Sequence, residues 1–157
     1  MIDGLDHNTA LSPLVELLRS SGCSLVVRDR TGEVTTYARP GVRDLVWLLD
    51  NAPQRLRGAT VADKVIGKAA AGLLVQGGVA CVYGEVMSEL ALPLLDAVGM
   101  PHHWGALVPR IVIPQGDTRC PLEQIVASAT TAPQVEQLLR DHFAEMRAKA
   151  ATPSTDI

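Results

Sequence analysis

An Asp-Lys-x-x-Gly-Lys run, Asp63-Lys64-Val65-Ile66-Gly67-Lys68, is the stretch of this chain best equipped for chemistry. It falls where a short apolar strand (59–62) gives way to a predicted helix (64–76). Strand ends and a helix N-terminus converge at such a junction, which is where open α/β sheets gather ligands. Lys64 and Lys68 would then share one helix face. Two ammonium groups in the opening turns oppose the helix dipole, at about 0.3–1 kcal/mol each when exposed. A phosphate would compensate, meeting free backbone N–H groups, the dipole and both lysines. Pairing of the lysines with Asp63, Glu85 or Glu89 would compensate equally. Asp63 is placed to cap its helix, and Gly67 to permit close packing or ligand approach.

Cys120-Pro121-Leu122-Glu123 is the second candidate. Pro121 fits the first helical position and Glu123 the capping-box position, which puts Cys120 at the N-cap. A thiol there has its thiolate favoured by the dipole and by adjacent Arg119, so Cys120 is a candidate nucleophile. The alternative is a plain helix start with a half-buried cysteine.

Other patterns are poorer. Gly67-Lys68 matches the G-K step of a phosphate-binding loop. The earlier glycine is missing and Ala69 stands where the magnesium-binding hydroxyl belongs, so a Walker A site is rejected. His102 and His103 are neighbours on a predicted strand and face opposite ways, so they cannot ligate one metal together. Either could act as an acid or base at a pocket edge; packing is the plainer role. Trp47 and Trp104 read as core or interface residues, and Cys81 as inert core.

The elements that must position these groups follow from periodicity and punctuation. A first helix runs from Leu11 to Gly22, opened by Ser12-Pro13. Ser24–Arg28 and Val34–Ala38 make an antiparallel hairpin around Asp29-Arg30-Thr31-Gly32. An amphipathic helix follows over 42–50, then the 59–62 strand and 64–76 helix. Next come an apolar strand (79–84), a helix (89–98) capped by Ser88, a strand (102–106) and a further extended piece (108–113). Helices over 121–129 and 133–149 close the domain. Strands alternating with helices predict a mostly parallel sheet with helices on both faces, and the hairpin adds an antiparallel edge. One domain is expected over 10–149, with flexible termini at 1–9 and 150–157.

With 157 residues, 47% of them apolar and 3% aromatic, the chain builds its core from Val, Leu, Ile and Ala and needs no staple. A net charge of −3 argues against nucleic-acid partners. The acidic start and the lack of any apolar run near ~20 residues argue against secretion and membrane insertion. Three dispersed cysteines, Cys23, Cys81 and Cys120, suit a reducing compartment, so the expected location is the cytoplasm.

The element order, together with Val61-Ala62-Asp63-Lys64-Val65-Ile66-Gly67-Lys68-Ala69-Ala70-Ala71 and Cys120-Pro121-Leu122-Glu123, resembles the DUF1893 family over roughly 24–126. That family is uncharacterised and belongs to the cytidine-deaminase-like fold. The resemblance implies a three-layer α/β/α sandwich with a mixed five-stranded sheet, and no activity. Zinc deaminases need a His or Cys with a general-acid/base Glu at one helix start and a Pro-Cys-x-x-Cys at the next. This chain offers Ala62-Asp63-Lys64 and Val86-Met87-Ser88-Glu89 instead, so no zinc centre and no other cofactor is expected.

Two functions remain open. The first is a zinc-independent domain that binds a small anionic or nucleotide-like ligand. Asp63, Lys64, Gly67 and Lys68 would form one wall and Glu85, Ser88 and Glu89 the other, with Glu123 a further ligand-binding candidate; for any reaction, Cys120, Asp63 and Lys64 would be the catalytic groups. The second is a non-catalytic homo-oligomeric scaffold or regulator.

Overall fold

The computed structural model describes residues 2–39, 41–112 and 121–151, with 2–10 and 151 described by backbone alone. A first helix, α1 (Ile2–Ser20), precedes the hairpin β1 (Leu25–Arg28) and β2 (Val34–Tyr37). Then come α2 (Arg43–Asn51), β3 (Thr60–Ile66), α3 (Lys68–Gly77), β4 (Cys81–Ser88) and α4 (Leu92–Ala97). β5 (His102–Val108), α5 (Pro121–Ile125) and α6 (Ala132–Ala151) complete the described chain.

Five strands form one mixed sheet in the order β2-β1-β3-β4-β5. β1 is antiparallel to both β2 and β3, while β3, β4 and β5 run parallel. Alternation along the strands divides the core. Val26, Ala62, Cys81 and Tyr83 meet Leu11, Leu14 and Leu18 of α1 on one face. Leu25, Val27, Val61 and Val82 meet α2, α3, α4 and α6 on the other. The result is a three-layer α/β/α sandwich, with α1 the single helix of one outer layer among the described residues.

α3 is the centre of the crowded layer, and its small residues decide how close its neighbours come. A Cβ added at Gly72 would sit 2.5 Å from Cγ1 of Val135, so this glycine lets α6 lie directly on α3.

Four boundaries depart from the sequence expectation. β3 does not stop at 62 but continues to Ile66, because Val65 and Ile66 go on pairing with Val86 and Met87. β4 likewise continues through Glu85 to Ser88. α3 therefore begins at Lys68, not at Lys64. α1 starts at Ile2 and carries Pro13 within it, so Ser12-Pro13 does not open the helix. Ser88 does act as a cap: its Oγ accepts from Leu90 N at 3.0 Å, opening a short 3-10 turn, Glu89–Ala91, ahead of α4.

Candidate functional site

The β3–α3 junction is built differently from its sequence-level picture. Lys64 is an exposed residue of β3 and Lys68 opens α3, so the two lysines do not share a helix face. Asp63 is likewise a strand residue, paired in register with Leu25 and Gly84, and does not cap α3. Gly67 is the N-cap, with extended backbone and no side chain to give.

The missing cap comes from 55 residues away. Glu123 in α5 accepts from Lys68 N through Oε1 at 2.9 Å and from Ala69 N through Oε2 at 3.2 Å. Its carboxylate is 5% exposed and lies on the positive end of α3, which has no acidic residue in its own first turn. A Cβ at Gly67 would fall 2.5 Å from Glu123 Oε2, so only glycine admits this carboxylate. Glu123 thus caps a second helix across the fold, where the sequence suggested a capping box within its own. Lys68 returns the contact, its Nζ donating to the Ala127 carbonyl at 3.0 Å just beyond α5. Two of the N–H groups that a phosphate would need are already taken.

Beside this cap lies a cavity of about 140 Å³ lined in part by Ser24, Asp63, Lys64, Gly67 and Glu123. Asp63 is 9% exposed, and its Oδ1 accepts from Val65 N at 3.3 Å. Burial pushes its carboxyl up to about 7, against the weaker opposing pull of the Val65 and Lys64 backbone donors. The structure therefore brings Asp63, Lys64, Gly67 and Glu123 together and engages Lys68 next to them.

It does not bring the other candidates there. Ser88 is buried under its own turn and Glu89 is exposed on it. Glu85 points into a separate network: Tyr83 Oη donates to Glu85 Oε1 at 2.7 Å, and Arg19 Nε donates to the same carboxylate at 3.1 and 3.2 Å. Cys120 lies outside the described residues. Cys23 and Cys81 are buried free thiols, and burial pushes Cys81 up to about 11, far from a reactive thiolate.

Two members of the Arg19–Glu85–Tyr83 network, Arg19 and Tyr83, line a wide groove. This groove, about 780 Å³, runs between α1 and the β4–β5 side of the sheet. It exists because α1 covers only part of its face of the sheet. Arg19, Glu16 and Ser12 line one wall; Tyr83, His103 and Trp104 line the other. Arg19 Nη2 also donates to Tyr83 Oη at 3.1 Å. Glu85 and Tyr83 thus hold the guanidinium in one orientation, and a guanidinium has five N–H donors to offer. Glu85 keeps a carboxyl lowered from its usual range, first by the Tyr83 hydroxyl and then by Arg19. The Tyr83 hydroxyl is raised, chiefly by burial and by Glu85. The His102 ring stacks beside Trp104 with centroids 6.1 Å apart and planes 28° from parallel. Its Nδ1–H donates to the Met100 carbonyl at 2.8 Å, which fixes the tautomer. Trp104 stays 41% exposed.

Arg19 and Tyr83 escaped sequence reasoning. Nothing local marks either; only the packing of α1 across β4 brings them together. Glu85 and His102-His103-Trp104 were singled out in the sequence, for other roles.

The family model for the domain of unknown function DUF1893 (TM1506) matches residues 13–143. The chain belongs to the DUF1893 family. A solved DUF1893 family protein (TM1506) from Thermotoga maritima is similar to this chain with a TM-score of 0.75 and 22% identity, over 84% of this chain and 88% of that one. At that identity the likeness shows the fold alone. No curated protein matches. Among the described residues of this DUF1893 chain, no group of three or more His, Cys, Asp or Glu could hold a metal ion. No described helix is long and apolar enough to cross a membrane.

Proposed function

We propose that this DUF1893 domain binds a small nucleotide-like ligand in the groove between α1 and β4–β5. The carrying observation is the pairing, across about 780 Å³, of an oriented guanidinium at Arg19 with an exposed indole at Trp104. That volume is in the usual range for small-molecule sites. Trp104 offers a stacking face for a planar base. Arg19 offers donors for a phosphate or hydroxyl. Glu16 and Glu85 keep the groove from being strongly cationic, which favours a nucleoside or monophosphate over a polyphosphate. Free thiols at Cys23 and Cys81 favour a reducing, cytoplasmic setting for this role.

The β3–α3 junction is the less favoured seat for an anion. Its cavity is several times smaller, and two carboxylates line it.

A panel of nucleosides, nucleoside monophosphates and inorganic phosphate, read by thermal shift and Trp104 fluorescence in a Trp47→Phe background, tests the reading. Ligand at ~100 times Kd should add about 2.7 kcal/mol. Trp104→Ala and Arg19→Ala should each abolish that shift while melting normally without ligand. Loss of the response only in the Lys64→Ala/Lys68→Ala variant would move the site to the β3–α3 junction. No response across the panel would remove the ligand-binding reading.

A second reading, a homo-oligomeric scaffold, has one observation in its favour: β5 is a seven-residue strand at the edge of the sheet. Such an edge can pair with another copy. Sedimentation across a concentration series would show a dimer broken by proline at Ala106; a monomer throughout would end it.

A further inference from the structure

A second groove lies on the opposite side of the sheet, between α2 and the far half of α6. α2 buries Leu45 and Leu48 against the core, half-buries Val46 and turns Arg43 and Trp47 outward. α6 packs through Val135 and Leu139, both fully buried. From Asp141 to Ala150 it buries no residue fully, and only Phe143 still packs on the core, half-buried. Over that stretch Phe143, Met146 and Ala150 follow one another at helical spacing along the groove. The space between the two helices is about 390 Å³. Trp47 is 45% and Met146 47% exposed, so the floor of the groove is apolar and uncovered.

The rim is cationic on a chain whose net charge is −3. Arg39 is neutralised by buried Asp44, with Nε to Oδ1 at 2.6 Å. Asp50 shares Arg140 with Glu136, at 2.8 and 2.7 Å, so the lining still holds three arginines against one partly paired carboxylate. Arg43 and Arg147 then stand over the groove, with no carboxylate paired to either among the described residues.

We propose that this groove docks an acidic amphipathic helix from a partner protein. Apolar side chains at helical spacing on both walls match the ridges of a third helix laid between them. Tryptophan, methionine and arginine are the residue types that dominate such contacts. Arg43 and Arg147 select Glu or Asp on the flanks of the incoming helix, and a basic helix is repelled. The floor is recessed between two helices, which suits an inserted helix better than a flat lipid surface.

The test is selection of a displayed library of roughly four-turn amphipathic helices on the full chain. Apolar positions are fixed, and flanking positions are randomised among Glu, Lys, Gln and Ser. Enrichment of Glu at the flanks is expected. Trp47→Ala, with its melting temperature kept, should weaken the selected helix about tenfold or more. Arg43→Glu/Arg147→Glu should reverse the preference toward Lys. Enrichment no greater than on Trp47→Ala, or equal enrichment of Lys flanks, would overturn the proposal. So would competition of the selected helix by phosphatidylglycerol vesicles, which would assign the groove to membranes. So, too, would self-association that shields Trp47 from quencher, which would assign it to a second copy of this chain.

Discussion

The β3–α3 junction and the α1–β5 groove both gather charged groups beside the sheet, and they end in opposite states. At the junction the groups that meet at the start of α3 are held by protein partners. The α3 N-terminus holds Glu123, Lys68 holds the Ala127 carbonyl, and Gly67 makes room for the carboxylate. In the groove the partners only orient: Glu85 and Tyr83 hold Arg19 at the wall of an open space that Trp104 also lines. A charged cluster that satisfies itself is a staple, and one with donors left over is a candidate site. Damage to the junction should therefore appear as lost stability, and damage to the groove as lost binding.

The largest effect is expected from Glu123→Ala. It strands two backbone donors at the start of α3, at a cost of about 3 kcal/mol. Chemical denaturation should show the midpoint falling with an unchanged slope. Phosphate added to this variant should recover part of the loss and do little for wild type, since only the variant has a vacant helix N-terminus. Equal responses would break the comparison.

Gly67→Ala drives a Cβ into the same carboxylate, and Gly72→Ala drives one into Val135. Each should cost about 1–3 kcal/mol. The two differ in a double-mutant cycle. The Gly67→Ala penalty should shrink sharply in a Glu123→Ala background, while the Gly72→Ala penalty should not change. Additivity at position 67 would mean that Glu123 is not what the glycine accommodates.

Asp63 gives a smaller effect, spread over pH. Its folded-state carboxyl is raised from 3.8 to about 7, so the folded state holds a proton that the unfolded chain has released. The stabilising contribution is full below the unfolded value and is lost as pH rises through the folded one. Between roughly pH 4 and 7 wild type should lose stability with a slope approaching ~1.4 kcal/mol per pH unit from this group. Asp63→Asn should flatten that slope in urea melts taken across the range; an unchanged slope would mean that Asp63 titrates normally.

The smallest stability effect belongs to Arg19→Ala, whose side chain is well exposed. Its melting temperature should stay close to wild type while the nucleotide response disappears. A large drop in melting temperature would turn the groove into a second staple and erase the contrast.

Much of the fold was legible in the chain. The hairpin around Asp29–Gly32, the amphipathic α2 and the alternation of strand and helix are local patterns, and each appears where its periodicity puts it. The ends of β3 and β4 were not legible. Asp63-Lys64 reads as helix-opening by composition, but extension to Ile66 is decided by pairing with β4. Asp63, Lys64, Gly67 and Glu123 were singled out by type, and they do meet around one cavity. Their roles there could not be read, because a carboxylate three residues into one helix looks the same whether it caps that helix or another. Arg19 and Tyr83 gave no local signal at all.

The sequence by itself determined what short-range physics controls: the order of helices and strands, which faces are apolar, and that polar groups cluster near the passage from strand to α3. The tertiary structure alone decided which of those polar groups are spent on each other. Glu123 and the start of α3 are 55 residues apart, and Arg19 and Glu85 are 66 apart. Such pairs form only when packing brings distant elements within hydrogen-bond range, and a hydrogen bond acts over about 3 Å, whatever the spacing along the chain.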